Sequence, residues 1–158
     1  MKKIPSFTVD HNKLNRGVYT SRQDRVGNEI LTTFDIRMKK PNVEPVIDVP
    51  ALHTMEHLGA TFLRNSEEWK ERVIYFGPMG CRTGNYLILA GDINPLDIKD
   101  LLIELYTFMA DFSGDIPGAT AKDCGNFQSM NLSMAKYESK KYLDEVLKSL
   151  STENTIYP

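Results

Sequence analysis

The pentapeptide His53-Thr54-Met55-Glu56-His57 carries the residue types and the spacing of a metal platform. On an α-helix the two imidazoles stand about 40° apart in projection and one turn above each other, so both face one ion. Glu56 falls about 60° from His53 on the same side, within reach of a metal-bound ligand without itself binding. Two ligands do not complete a tetrahedral site, so the chain must bring a third. Cys124 is the best candidate. It sits in Lys122-Asp123-Cys124-Gly125, which reads as a loop where glycine permits an unusual backbone and close approach to an ion. Two imidazoles, one thiolate and an open position make a catalytic arrangement, because structural sites fill all four positions. That donor set suits zinc or iron(II) and suits magnesium or calcium poorly. Against this stands plain packing, since two histidines on a helix face are commonly half-buried and hydrogen-bonded.

Cys81 is the second reactive candidate. It ends a Pro-Met-Gly turn and precedes Arg82, whose charge would favour a thiolate if it pointed inward. A buried small hydrophobe is the equally weighted alternative. The H-x-x-E-H spacing has a rival meaning too: in inverted zinc peptidases the glutamate activates a water. That reading needs a downstream carboxylate ligand, for which Glu104 is the candidate, and it leaves Cys81, Cys124 and His11 without a task. A third reading is a metal-stabilised structural domain, with Cys81 or His11 closing the fourth position.

The elements that must position these groups follow from periodicity. Arg16–Arg25 and Glu29–Met38 read as strands joined by a hairpin turn at Val26-Gly27-Asn28-Glu29. Asp48 and Pro50 signal the start of a helix over about Ala51–Arg64 that carries the histidines. Arg72–Phe76 and Asn85–Gly91 read as strands flanking the glycine-rich turn that holds Cys81. Asn94-Pro95-Leu96-Asp97 starts an amphipathic helix running through Phe112. A short strand near Phe127 and a final helix with Leu132, Ala135, Tyr142, Leu143, Val146, Leu147 and Leu150 on one face complete the pattern. Hairpin-like connections imply an α+β fold, a mixed or antiparallel sheet packed against helices.

With 158 residues the chain is most simply one domain, spanning 1–158. The net charge of −2 and the lack of long basic runs leave no electrostatic footprint for nucleic acid or a membrane surface. No apolar run reaches transmembrane length, and the lysines at the N-terminus are not followed by a signal-peptide core. The two cysteines form no C-x-x-C pair, which implies free thiols and a cytoplasmic location.

Several stretches, in order, resemble the S-ribosylhomocysteine lyase (LuxS) family. They are Ser6-Phe7-Thr8-Val9-Asp10-His11-Asn12, Phe34-Asp35-Ile36-Arg37, Pro41-Asn42, His53-Thr54-Met55-Glu56-His57-Leu58, Arg64-Asn65, Gly77 through Gly84, Ile116-Pro117 and Cys124-Gly125. Each is weak alone; together they span nearly the whole chain. The resemblance implies a homodimer of α+β subunits with two active sites at the interface. It implies Fe2+, replaced by Zn2+ on isolation, held by His53, His57 and Cys124. It implies Cys81 and Glu56 as the general acid/base pair, and Ser6, His11, Arg37 and Arg64 lining the substrate pocket. To act as a base Cys81 should be ionised, with the metal and Arg37 as sources of the positive field. The implied reaction cleaves S-ribosyl-L-homocysteine to L-homocysteine and 4,5-dihydroxy-2,3-pentanedione, which cyclises to the quorum-sensing signal autoinducer-2 and recycles the by-product of methyl transfer. The chain departs from the family pattern before the cysteine turn. Tyr75-Phe76-Gly77 stands where Asp-Ile-Ser is usual, so an acid expected near the homocysteine end is absent at position 75. Met55 and Met38 are conservative replacements.

Overall fold

The computed structural model describes residue 4 and residues 7–158; Ser6, expected in the substrate pocket, lies outside the described residues. Strands β1 (Gly17–Val26) and β2 (Glu29–Arg37) form the expected hairpin, with Val26 opposite Glu29 and Gly27 taking a left-handed φ of 62° in the turn. Strands β3 (Val73–Pro78) and β4 (Gly84–Ala90) complete a four-stranded sheet of order β1-β2-β4-β3, antiparallel throughout. Three helices accompany it: α1 (Val49–Asn65), α2 (Lys99–Asp111) and α3 (Leu132–Glu145). The architecture is α+β.

Strand registers sort the side chains onto two unlike faces. One face aligns Val18 with Ile36 and Asn85, and Phe34 with Leu87 and Phe76; all six are buried. Alternation every second residue makes this the core face, and the helices lie against it, α1 on β3 and α2 on α3. The other face carries the row Tyr19, Asp35, Tyr86, Gly77 and the row Arg22, Thr33, Ile88, Tyr75. No helix covers it.

Helix α1 serves the core and the candidate site at once. Ala51, Leu52, Met55, Leu58 and Leu63 are buried, while His53, Glu56 and His57 lie half-buried on its flank. Pro50 stands in its first turn, where a missing N–H costs nothing. Asp48 occupies the N-cap position, yet its carboxylate accepts from Asn131 Nδ2 at 3.4 Å and does not cap its own helix. That bond ties the start of α1 to the start of α3. At the other end Arg64, in the last turn, donates to the carbonyls of Val73 (3.3 Å) and Ile74 (3.0 Å).

Close approach of α1 to the sheet depends on Gly59. A β-carbon there would overlap the ring of Phe76 on β3. Gly59→Ala is expected to destabilise the fold by about 1–3 kcal/mol, the usual range for overpacking. Thermal unfolding reads this directly, and an unchanged melting temperature would mean the ring turns aside freely.

One expected element is absent. Residues 125–128, around Phe127, form turns and not a strand. Ser129 N–H closes one of them onto Asn126 O at 3.0 Å, and the Ser129 carbonyl is occupied by His53. The backbone that would have paired with a strand supports a histidine. Among the described residues, no helix is long and apolar enough to cross a membrane.

Candidate metal centre and thiol cluster

The side chains of His53, His57 and Cys124 converge, with their ligating atoms all within 4.8 Å of one another. His53 Nε2 lies 3.2 Å from His57 Nε2 and 3.4 Å from Cys124 Sγ. Two nitrogens and a sulfur around one tetrahedral zinc-like ion would be separated by about 3.3 Å (N to N) and about 3.6 Å (N to S), given usual bond lengths. The spacing fits.

The protonation pattern fits as well. His53 Nδ1 lies 2.9 Å from the Ser129 carbonyl, and His57 Nδ1 lies 2.7 Å from the Pro117 carbonyl. A carbonyl only accepts, so each Nδ1 must carry the proton, and in a neutral ring each Nε2 then presents a lone pair. Two lone pairs facing each other at 3.2 Å repel unless a cation lies between them. Carbonyl-anchored imidazoles of this kind are the usual outer support of metal sites. Cys124 sits in the 120–124 loop, its N–H donating to Thr120 O at 3.0 Å, and its sulfur accepts from Asn126 N–H at 3.4 Å.

The glycine that shapes this centre is not the expected one. Gly125, next to Cys124, keeps an ordinary φ. Gly118 takes φ 69°, and a β-carbon on it would come within 3.3 Å of His57 Nδ1. Its left-handed backbone lets the Pro117 carbonyl reach the ring. The peptidase reading loses its third ligand here: Glu104 is exposed on α2 and does not belong to the cluster, whose third ligating group is the Cys124 thiol. Neither Cys81 nor His11 joins it either.

Cys81 stands in a second cluster. The turn from β3 to β4 closes with Arg82 N–H donating to Met79 O at 2.9 Å, and Arg82 itself adopts φ 60°. This tight reversal leaves Cys81 exposed at its tip. Its sulfur lies 3.1 Å from Thr83 Oγ1 and 3.7 Å from Arg37 Nη1. Arg37 Nη1 also donates to Thr83 Oγ1 at 2.6 Å, so Thr83 accepts from the guanidinium and can donate onward to the thiol. Partial burial pushes the thiol up, but the Thr83 hydrogen bonds and the Arg37 charge outweigh it, leaving Cys81 below the usual thiol value. The charge that favours the thiolate thus comes from Arg37; Arg82 lines a different hollow.

The two clusters open onto separate hollows of the single chain. Cys81, Arg37 and His11 line a cavity of about 200 Å³ on the helix-free face of the sheet. His53 and Glu56 line a hollow of about 320 Å³ with Pro78, Met79 and Arg82. Arg64 is engaged with β3 carbonyls. The Tyr75 and Gly77 departures prove sterically coupled, because a β-carbon at 77 would overlap the Tyr75 hydroxyl. Burial first, then the Glu56 charge, raises the Tyr75 phenol.

Sequence reading missed four supports: Thr83, Asp35 as partner of Arg37, and the carbonyls of Pro117 and Ser129. Asp35 had a signal, since 35 and 37 are spaced two apart and so share a side of a strand. Thr83 had none, because residues 81–83 lie in the tight turn. Backbone carbonyls carry no side-chain signature at all.

Comparison with known proteins agrees with this geometry. The family model described as S-Ribosylhomocysteinase (LuxS) matches residues 4–153. A protein of Clostridium beijerinckii named S-ribosylhomocysteine lyase is 57% identical over 158 residues, covering all of this chain and 99% of the relative. Relatives of the same name from Phocaeicola vulgatus and Borreliella burgdorferi are each 56% identical over the full chain, covering 98% and 100% of their own lengths. With a family model and full-length relatives in agreement, the chain belongs to the S-ribosylhomocysteinase (LuxS) family of lyases.

Proposed function

We propose that this chain cleaves the thioether of S-ribosyl-L-homocysteine, giving L-homocysteine and 4,5-dihydroxy-2,3-pentanedione, the precursor of autoinducer-2. The observation that carries the reading is the convergence of two Nε2 lone pairs and a thiol on one point, in a chain of this family. His53, His57 and Cys124 would hold the metal. The donor set suits zinc or iron(II) alike, and the family resemblance implies Fe2+ with Zn2+ an isolable substitute. When bound, the ion supplies Lewis acidity to the sugar oxygens, lowering the cost of charge that develops there.

The chain's own groups move the protons. A C–S bond remote from a carbonyl does not break readily, so the ribose carbonyl must first migrate until the sulfur lies β to it. Each migration takes a proton from a carbon beside a carbonyl and returns one to the neighbouring carbon. The Cys81 thiolate, held by Arg37 and Thr83, suits the sugar carbons. Glu56, one residue from a ligand, suits the oxygens on the metal side. Removal of the last proton expels homocysteine thiolate by β-elimination. Atoms and electrons balance without water or a redox partner, so a redox-inert ion can serve.

His11 and Arg37 line the thiol cavity and would hold the substrate there, with Ser6 and Arg64 further candidate contacts. In one chain Cys81 and Glu56 face separate hollows. A homodimer with shared sites, as the family resemblance implies, would let one subunit supply the thiol and the other the metal ligands and Glu56. The deciding experiment is release of free homocysteine thiol from S-ribosylhomocysteine. Turnover is expected, to be lost on chelation and restored by Fe2+ or Zn2+. Absence of thiol release from metal-loaded protein would remove the lyase reading.

A further inference from the structure

The thiol cluster has a member from the far end of the chain. The Tyr157 ring stacks on Tyr19 of β1, with centroids 4.8 Å apart and planes 11° from parallel. Its hydroxyl donates to Asp35 Oδ2 at 2.8 Å. The same oxygen accepts Arg37 Nη2 at 2.5 Å, and Arg37 Nη1 reaches Thr83 and Cys81. Asp35 and Arg37 are almost completely buried. Asp35 Oδ1 and Arg37 Nε have no partner among the described residues. The orientation of this buried pair therefore rests on few bonds, and the Tyr157 hydroxyl is one of them.

We propose that Tyr157 is a positioning residue for Cys81: by holding the Asp35 carboxylate through its hydroxyl, it keeps the Arg37 guanidinium against the thiol. The inference rests on Cys81 as an acid/base group of the proposed reaction. Its sign follows from charge. Without the phenol donor, the Asp35 carboxylate is less neutralised and draws the guanidinium toward itself. A more negative neighbour and a more distant cation both disfavour a thiolate. Within one chain and among the described residues, the groups facing Cys81 are Asp35 and Arg37 from β2, Thr83 and Tyr86 from the turn and β4, His11 from the N-terminal segment, and Tyr157. In the proposed dimer the metal centre of the second subunit joins them, identically in every variant compared. The phenols of Tyr86 and Tyr157 are raised, chiefly by burial and then by the Asp35 charge, and stay neutral through the neutral pH range. His11 is the one imidazole lining the cavity, so the comparison is made in its presence and again in a His11→Asn background.

The test is the pH dependence of Cys81 alkylation by iodoacetamide in metal-loaded, full-length protein, resolved by peptide mass spectrometry. Tyr157→Phe keeps the ring and removes the hydroxyl. Loss of one hydrogen bond should move the Cys81 midpoint up by about 0.5–1 pH unit, in both backgrounds. Alkylation below the midpoint then falls by about 3–10-fold. Tyr157→Leu, which also removes the stack, should shift it at least as far. An unchanged midpoint in Tyr157→Phe overturns the proposal, as does a shift confined to Tyr157→Leu, which would make stacking the operative contact. The midpoint is read without substrate, so absence of homocysteine release from wild-type protein would count against the lyase reading alone.

Discussion

Cys124→Ala is expected to strip the protein of tightly held metal and to abolish homocysteine release with it. The physical basis is the donor count. His53 and His57 are consecutive-turn ligands on one helix, pre-oriented by the Ser129 and Pro117 carbonyls, and they survive the substitution intact. What disappears is the anionic donor, the group that offsets the ion's charge in a half-buried position. Loss of outer support alone commonly costs 10–100-fold in metal affinity, so loss of a ligand should exceed about 100-fold. After desalting, elemental analysis should find far less than one metal per chain. Retention of a full equivalent would mean that another group supplies the third bond and that the proposed coordination is wrong. The fold should persist, because the core beneath α1 is built from Leu52, Met55, Leu58 and Leu63 and owes nothing to the thiol. A structural metal domain would instead unfold on chelation.

The second large effect separates chemistry from coordination. Cys81→Ala and Glu56→Gln should each keep a full complement of metal while lowering kcat by about 10²–10⁴-fold, the usual contribution of a positioned acid/base group. Neither side chain belongs to the convergent cluster, so neither substitution touches a ligand. Both are modest in volume: Glu56→Gln is isosteric, and Cys81 is exposed at a turn tip. Metal content, melting temperature and thiol release, measured on the same preparations, distinguish the outcomes. Near-normal turnover in either variant would remove that residue from the proton transfers. Loss of metal in either would place it in the coordination shell.

These expectations connect to how the site is assembled. The candidate metal centre joins α1 to the segment between residues 117 and 129, whose turns have no regular secondary structure of their own. The segment spends its backbone on the histidines and its one thiol on the same point. The thiol cluster, by contrast, is built on strands: Asp35 and Arg37 from β2 and Thr83 from the turn entering β4. Chelation should therefore loosen the first region and leave the second in place.

Much of the site was legible in the sequence because its parts obey short-range rules. The i, i+4 spacing of His53 and His57 places both rings on one helical face whatever the tertiary context. The alternation in β1 through β4 predicts strands because one face must be apolar, and proline near the start of α1 marks a helix for local steric reasons. Ends of the strands and of α1 shifted by a residue or two, as hydrogen-bond ends do. The helix expected from Asn94 instead opens with a separate 3-10 turn at Pro95–Ile98 before α2, and α3 stops at Glu145, leaving Leu147 and Leu150 beyond it. The strand near Phe127 failed because a β-forming residue is a weak cue where the backbone has a competing partner, here His53.

By itself, then, the sequence determined the helix that presents two imidazoles, the turn that presents a thiol, and the strand pair Asp35/Arg37 on one side. All of these are consequences of local geometry and solvent partition. Tertiary structure alone decided what meets what. It brought Cys124 to a helix 71 residues away, and it turned both histidine rings by carbonyls that no side chain announces. Of the two arginines the sequence offered as cations for Cys81, it set Arg37 and not Arg82 beside the thiol. It carried Tyr157 across the sheet to Asp35, a separation of 122 residues. Contacts between distant segments depend on the packing of the whole chain, and no periodicity encodes them.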